Sequence, residues 1–561
     1  MLIDSSVERV GVLPEFDVCI VGSGPAGLTL AREMARAGQR ICILESGGTK
    51  LAENTQDLNS AHVESPHGYR EQPLRDGRRR QLGGSANLWN HELRGEVSKH
   101  IRYVQLDKTD LAKRDWVPES GWPFTREELQ PYYDRAAAFC GIAPFRNVAD
   151  DWKTGDKKVW QTSRIESVVS QFGSAKIFLE DYRDELVRQD RVTILLHASA
   201  LELRMEPLSR RITSVRVGSG ENAFEVRSKT FVLAAGGLEN ARILLLQNTI
   251  QPGGLGNQND MVGRCFMDHP SITLGTLRPN SPEIFRQAGF YDQHNVDGQP
   301  IMGKLHIRPE VQRREKMLNL CAVLVPHFNS LRANVPAVMR QLLVKGPKFL
   351  WQRRSAAAHC YSAVPGEPAQ SLRQRLLEGY YSECFCGWSR LNELEKHFNE
   401  FGVRSLVEQS PDRSNRLELD SKSDALGQRL LKVHWKWNEV DLRSIRRAQE
   451  IFGEELATAG IGTFIPTPEN AGAPPRAFYS PHHFMGTTRM HENPRNGVVD
   501  ADCKVHDVPN LYVAGSSVFP TGGFANPTFT IIALALRLAD HLQTGTRPAE
   551  VPGASLAYAT I

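Results

Sequence analysis

No stretch of the 561-residue chain reaches the roughly 18 uninterrupted apolar residues that a membrane-spanning helix requires. The opening MLIDSSVERVGVLPEF carries acids early and lacks the apolar core of a secretory signal, which points to a cytoplasmic protein. Paired cysteines are missing as well. Of nine cysteines only Cys384 and Cys386 stand close together, and without a second pair the spacing does not make a zinc site. Their dispersal fits a reducing compartment with buried thiols. Charge is not in excess either: a net +4 over this length gives no reason to expect nucleic acid as a partner. One basic run, RDGRRR at Arg75–Arg80, has no interleaved aromatic residues, so it reads as a solvated or phosphate-facing loop. The basic amphipathic stretch 331–354 suits a helical lid or subunit contact better than a membrane surface.

What is present begins at Phe16. FDVCIV is a short apolar run of strand-forming residues, and it leads into Gly22-Ser23-Gly24-Pro25-Ala26-Gly27. LTLAREMARAGQ then places apolar residues at helical spacing, with Gly38 as a stop signal. A second strand, RICIL, ends in Glu45. Strand, glycine turn, helix, strand and acid in this order form a dinucleotide-binding unit. Gly22 permits the sharp turn, Gly24 lets the backbone approach a pyrophosphate, and Gly27 lets helix and strand pack closely. A carboxylate at the second strand tip accepts from a ribose diol and disfavours a 2′-phosphate, which leaves NAD or FAD.

Three later segments favour FAD. QLGGSANLWN at 81–90 offers a Gly-Gly loop able to pass close to a flat ring. FVLAAG at 231–236 and LYVAGS at 511–516 are both strands ending in small residues. A nucleotide domain whose pieces return this late suits FAD, whereas an NAD domain is usually continuous. The expected fold is therefore α/β: a Rossmann-like FAD-binding domain assembled from discontinuous segments, with an inserted α+β substrate-binding domain. The expected divisions are 14–90 and 231–269 for the cofactor and 481–545 for a cofactor and catalytic block. Between them lie a mixed insertion at 91–230 and a mainly substrate-binding region at 270–480, and 546–561 forms a loose tail. Within the first insertion, Thr125 and Glu128 have capping-box spacing before an amphipathic helix.

Four features together resemble the glucose-methanol-choline (GMC) oxidoreductases. They are VGSGPAGLTLA…ILESG, LGGSANLW, MVGRCFMDHP at 261–270, and the block from His483 to Leu538. That last block is most similar to the branch holding pyranose oxidases and related sugar dehydrogenases. The resemblance implies that His483, three positions before Gly486-Thr487, and Asn526, in GGFANPTFT, face the reactive edge of the flavin. An imidazole suits removal of a hydroxyl proton as hydride leaves the carbon, and an amide orients the oxygen without competing for the proton. The cofactor-facing positions it implies are Gly22, Ser23, Gly24, Pro25, Ala26, Gly27, Glu45 and Ser46 near the first turn. Gly84, Ser85, Asn87 and Leu88 follow in the Gly-Gly loop, then Ala235, Gly515, Ser516, Asn526, Pro527 and Thr528. Pyranose oxidases of this branch tether FAD through a histidine one residue before the loop tryptophan. Leu88 stands there and cannot form that bond, so the FAD is expected to be non-covalent.

The implied activity is oxidation of a CH–OH group of a sugar, glycoside or related alcohol. Electrons would pass on to dioxygen, a quinone or an electron-transfer protein. A non-sugar alcohol, or the cyanohydrin of an FAD-containing hydroxynitrile lyase, stays open as an alternative substrate. His482 and His491 read as local packing residues and His269 as structural. The three histidines His482, His483 and His491 lack the spacing of a zinc site.

Overall fold

The computed structural model describes residues 1–89, 91–92, 99–146, 148–220, 222–249, 251–328, 388–468, 474–475 and 478–544. The basic stretch at 331–354, Cys384, Cys386 and the tail after Thr546 lie outside the described residues. The strand Phe16–Val21 has five of its six residues buried, and its parallel neighbour Ile41–Leu44 is buried throughout. Strands covered on both faces by helices read as continuous apolar runs rather than alternating ones. Between them the helix Pro25–Arg36 starts on proline, whose fixed φ suits a first turn, and ends just before Gly38 at φ +86.

Around this unit the parallel strands run in the order Leu2–Asp4, Val192–Leu196, Ile41–Leu44, Phe16–Val21 and Asn222–Leu233. Leu511–Val513 joins the last of these in parallel, and Ile212–Ser219 with Ser199–Met205 extends it by antiparallel pairing. The sheet thus gathers residues from 2 to 513, the discontinuous assembly expected from the late strand signals. Phe16–Val21 has chain from opposite directions on its two sides, so the crevice at its carboxyl end is the natural ligand position.

Among the described residues the second sheet has nine strands and is antiparallel. Its centre comes from Ser271–Pro279, Gln299–Ile307, Leu320–Phe328 and Phe398–Val407. It also recruits Lys99–Tyr103 and Ile165–Ser174 from the first insertion, while Val192–Leu233 of that insertion returns to the cofactor sheet. A third sheet pairs Arg416–Ser423 and Arg429–His434 with Ala61–Glu64. The capping box forms as its spacing predicts: Thr125 and Glu128 exchange hydrogen bonds of 3.2 and 2.7 Å at the head of Arg126–Phe139.

Candidate active site

The glycines of the first turn do separate jobs. Gly22 sits at φ +108, and a Cβ there would lie 2.5 Å from the Ala234 carbonyl oxygen. At Gly27 it would lie 2.0 Å from the Gly22 carbonyl oxygen, so helix and turn meet only because the side chain is absent. At Gly24 it would meet nothing within 4 Å, which leaves the backbone facing open space beside the start of the Pro25–Arg36 helix. That is the cradle a pyrophosphate needs. Ser23 and Glu45 close it: Glu45 accepts from the Ser23 hydroxyl, from Ser23 N at 3.2 Å and from Gly47 N at 2.9 Å. Burial pushes the Glu45 carboxyl above its ordinary value despite those donors.

Ser46 accepts from Arg80 at 3.0 Å, and this corrects the reading of the basic run. Arg80 and Arg78 pair with Glu239 at 2.8 and 3.3 Å, and neither guanidinium is solvated. Burial alone would raise the Glu239 carboxyl, but Arg80, Arg242 and Arg78 hold it down at about 2. The partner acid lies some 160 residues further along, which is why the run looks unpaired in the sequence.

The Gly-Gly loop rests on this turn. Gly83 and Gly84 both have positive φ, and a Cβ on Gly84 would sit 2.8 Å from the Gly24 Cα. Gly83 N donates to the Ser23 hydroxyl at 3.1 Å. Asn87 shapes the turn Gly84–Leu88 by donating to the Leu82 and Gly84 carbonyls at 3.1 and 2.8 Å. Ser85 is exposed, and Leu88 is half-buried. On the other flank Asn240 accepts from Ala235 N at 2.8 Å and donates to the Ala514 carbonyl and the Ser517 hydroxyl at 3.1 and 3.0 Å. It thereby ties two strand ends that are 279 residues apart in sequence, counted from Ala235 to Ala514. Sequence reasoning did not single out Asn240, because an asparagine inside GLENAR carries no sign of its distant partners. Gly515, at φ +115, precedes Ser516, whose hydroxyl donates to the Phe484 carbonyl at 2.7 Å. Pro527 and Thr528 open the helix Thr528–Thr544, which packs on Pro25–Arg36.

His483 and Asn526 meet at the centre of these pieces. Asn526 Nδ2 lies 3.3 Å from His483 Nε2, so that ring nitrogen accepts and one amide hydrogen of Asn526 remains for another oxygen. Asn526 Oδ1 is buried and has no protein partner among the described residues. His483 Nδ1 lies 3.0 Å from Nδ1 of His269, and the rings meet edge to face. Burial, then the neighbouring His269 ring, hold the His483 pKa well below the ordinary imidazole value. Burial brings His269 to about 4. Both rings are therefore neutral at neutral pH, and one proton lies between the two Nδ1 atoms. The sequence reading of His269 as structural misses this direct contact.

A single carboxylate holds the segment in place. Asp268 accepts from the backbone amides of His269 and His483 at 2.7 and 3.0 Å, from Tyr69 at 2.9 Å, and from Ser480. The following Gly486-Thr487-Thr488 is stitched to the strand ends, with Thr488 N donating to Ser517 O at 2.8 Å and Thr487 Oγ1 to Gly237 O. His482 instead turns its ring to Gly77, Tyr479 and Phe484. His491 accepts from Asn493 N at 2.9 Å, away from the pair. An acid positioned for a ribose, an open cradle for phosphates and an unpaired amide oxygen beside a neutral imidazole are a donor set that fits FAD.

Comparison with known proteins agrees. Residues 411–535 match the family model described as GMC oxidoreductase, and residues 17–253 match that of an FAD dependent oxidoreductase. The chain is 31% identical over 581 residues to paromamine 6′-oxidase of Streptomyces fradiae, covering 93% of this chain and 90% of that protein. It is 23% identical to the fructose dehydrogenase large subunit of Gluconobacter japonicus, covering 94% and 97%. It is also 23% identical to 2-methyl-1,2-propanediol dehydrogenase of Mycolicibacterium austroafricanum, covering 94% and 95%. Among solved structures formate oxidase shares the fold, with a TM-score of 0.52, 15% identity, and coverage of 95% of this chain and 98% of that one.

Proposed function

Because the chain belongs to the GMC oxidoreductase family and is an FAD-dependent oxidoreductase of CH–OH groups, we propose that it oxidises a sugar or glycoside hydroxyl with His483 as the base. The observation that carries this reading is the neutral His483 imidazole, its Nε2 lone pair directed to the side of Asn526. FAD, when bound, supplies the two-electron acceptor for the carbinol carbon. When the substrate hydroxyl replaces the Asn526 N–H at His483 Nε2, that nitrogen takes the hydroxyl proton, and the Asn526 amide holds the same oxygen as it gains charge. Asp268 fixes the backbone of His483, and His269 fixes its ring from the opposite nitrogen. The sugar preference draws support from the names of the relatives, among them fructose dehydrogenase and paromamine 6′-oxidase. Dioxygen, a quinone or an electron-transfer protein then completes the cycle.

Anaerobic addition of sugars and glycosides to the yellow holoprotein tests the proposal. Bleaching of the flavin band near about 450 nm by at least one of them is the expected result. A flavin that aliphatic diols bleach and no sugar does would overturn the sugar assignment and keep the oxidation.

The pH dependence has a definite sign. A base must be unprotonated to work, and burial holds His483 well below the ordinary imidazole range. The rate of flavin reduction is therefore expected to be flat from about pH 7 upward and to fall only on acidification. Stopped-flow reduction at saturating substrate measures it. A rate that climbs through neutral pH would show an imidazole with an ordinary pKa and remove His483's neutral state from the argument.

The cofactor is held without a covalent bond in this proposal, since Leu88 occupies the tether position. Acid precipitation is expected to leave all the flavin in the supernatant. Yellow colour in the washed pellet would contradict it.

A further inference from the structure

One face of the second sheet carries two cations with no role in proton removal. Lys304 pairs with Val168 in the ladder, Met302 with Ser170, and Arg102 with Phe172. Alternate residues of a strand share a face, so Lys304, Met302, Ser170, Phe172 and Arg102 all lie on one side. Phe172 and Met302, with Val323 against them, form an apolar cluster separate from the main core. The Arg102 guanidinium lies 5.6 Å from the Phe172 ring centre and reaches Met302 Sδ at 3.5 Å. Lys304 Nζ lies 5.4 Å from the ring centre of Phe524, two residues before Asn526. Both cations also depress the His483 imidazole, which places this face within electrostatic reach of the base.

Lys304 is the anomaly. Its residue is 0% exposed, yet among the described residues Nζ meets only the weakly accepting Cys321 thiol, and the nearby Ser170 hydroxyl, also 0% exposed, has no partner. Among the described residues no carboxylate forms an ion pair with Lys304. The charged or polar groups that act on it are the Cys321 thiol and Arg102. Burial lowers its pKa to about 8, so at neutral pH it stays mostly protonated. Taking an ammonium out of water without a counter-charge is strongly unfavourable. Buried charged groups with displaced pKa values cluster at functional sites, and a ligand of opposite charge would supply what this one lacks.

We propose that Lys304, with the Ser170 hydroxyl beside it, forms a subsite for a carboxylate carried by the substrate, so that the enzyme selects a sugar acid over a neutral sugar and disfavours an aminosugar. This rests on the proposed sugar oxidation and narrows it. A buried ammonium gives a carboxylate a short, charge-assisted hydrogen bond. Ser170 adds a neutral donor, while Phe172 and Met302 supply the apolar wall that keeps water from competing. A protonated amino group in the same place would meet a like charge.

The test measures binding and oxidation separately. Holoprotein is titrated with D-gluconate, D-glucose, D-glucosamine and D-glucose 6-phosphate, by calorimetry and by the shift of the oxidised flavin spectrum. Anaerobic bleaching is then followed with each ligand. Gluconate is expected to bind at least about tenfold more tightly than glucose, and glucosamine most weakly. Lys304→Met, close in shape and without the buried charge, is expected to erase the gluconate advantage, and Lys304→Arg to keep most of it. Equal binding of gluconate and glucosamine, or full gluconate affinity in Lys304→Met, would overturn the subsite. Tighter binding of the phosphate ester than of gluconate would overturn the carboxylate assignment. Failure of the parent reading looks different: gluconate then binds in a Lys304-dependent way, and no sugar bleaches the flavin.

Discussion

His483→Ala is expected to slow anaerobic flavin reduction by about two to four orders of magnitude. The substitution removes only the ring. The backbone amide that donates to Asp268 at 3.0 Å remains, so the segment keeps its position and FAD its site. What is lost is a lone pair directed at the Asn526 side, on a group whose pKa is low enough to leave it unprotonated. Asn526 is no substitute, because an amide nitrogen has no basic lone pair. Rapid mixing with substrate, followed at the flavin band, measures the effect, and retained flavin absorbance verifies the site. A loss below about tenfold would mean that another group removes the proton.

Arg114→Met is expected to destabilise the protein by about 3–5 kcal/mol, the usual cost of breaking a buried ion pair on one side. Arg114 and Glu408 pair through two bonds of 2.8 and 2.6 Å, with side chains 1% and 0% exposed. Burial would raise the Glu408 carboxyl, but the Arg114 guanidinium outweighs it and holds the group below its ordinary value. Without the arginine the charge is left beside Asp110, a carboxyl that burial and the acids Asp107 and Glu408 already push well upward. Replacing both partners often recovers stability, but here recovery is expected to be partial. Glu408 also accepts from the amides of Asn319 and Gly523 at 2.9 and 3.3 Å, and an apolar residue would leave both unpaired, at about 1–3 kcal/mol each. Gly523 is three residues before Asn526, so the damage extends to the site. Thermal melting and flavin release of single and double variants measure both effects. A double variant as stable as the parent would show that the two amides find other acceptors.

The parts of this molecule that were legible in its sequence are those whose reasons are local. The turn Gly22–Gly27, the helix behind it, the Thr125 cap and the small residues ending FVLAAG and LYVAGS each follow from a few consecutive residues. His483 and Asn526 were reachable only through resemblance, since a histidine before Gly-Thr has no chemistry until its neighbours are known. Asp268, His269, Asn240 and Glu408 stayed hidden because their partners come from strands and loops brought together by topology. Arg78 and Arg80 misled for the same reason: a charge looks solvated until its counter-charge folds onto it. Lys304 sits in an alternating strand, QPIMGKLHI, where a charge at that position would ordinarily face water.

The Asn240 clamp has a consequence for how the chain is made. Residues 16–44 emerge from the ribosome early with every feature of a nucleotide fold, yet their sheet is closed by Leu511–Val513 and by bonds to Ala514 and Ser517. At roughly 5–20 residues per second, on the order of half a minute or longer separates the two events. For the later part of that interval, once residue 240 is made, the edge of Asn222–Leu233 that takes up Leu511–Val513 stands open, and the buried amide of Asn240 has neither of its later acceptors. The newborn protein is thus exposed to mispairing at that edge for about half of its synthesis, and protection of the nascent chain matters there.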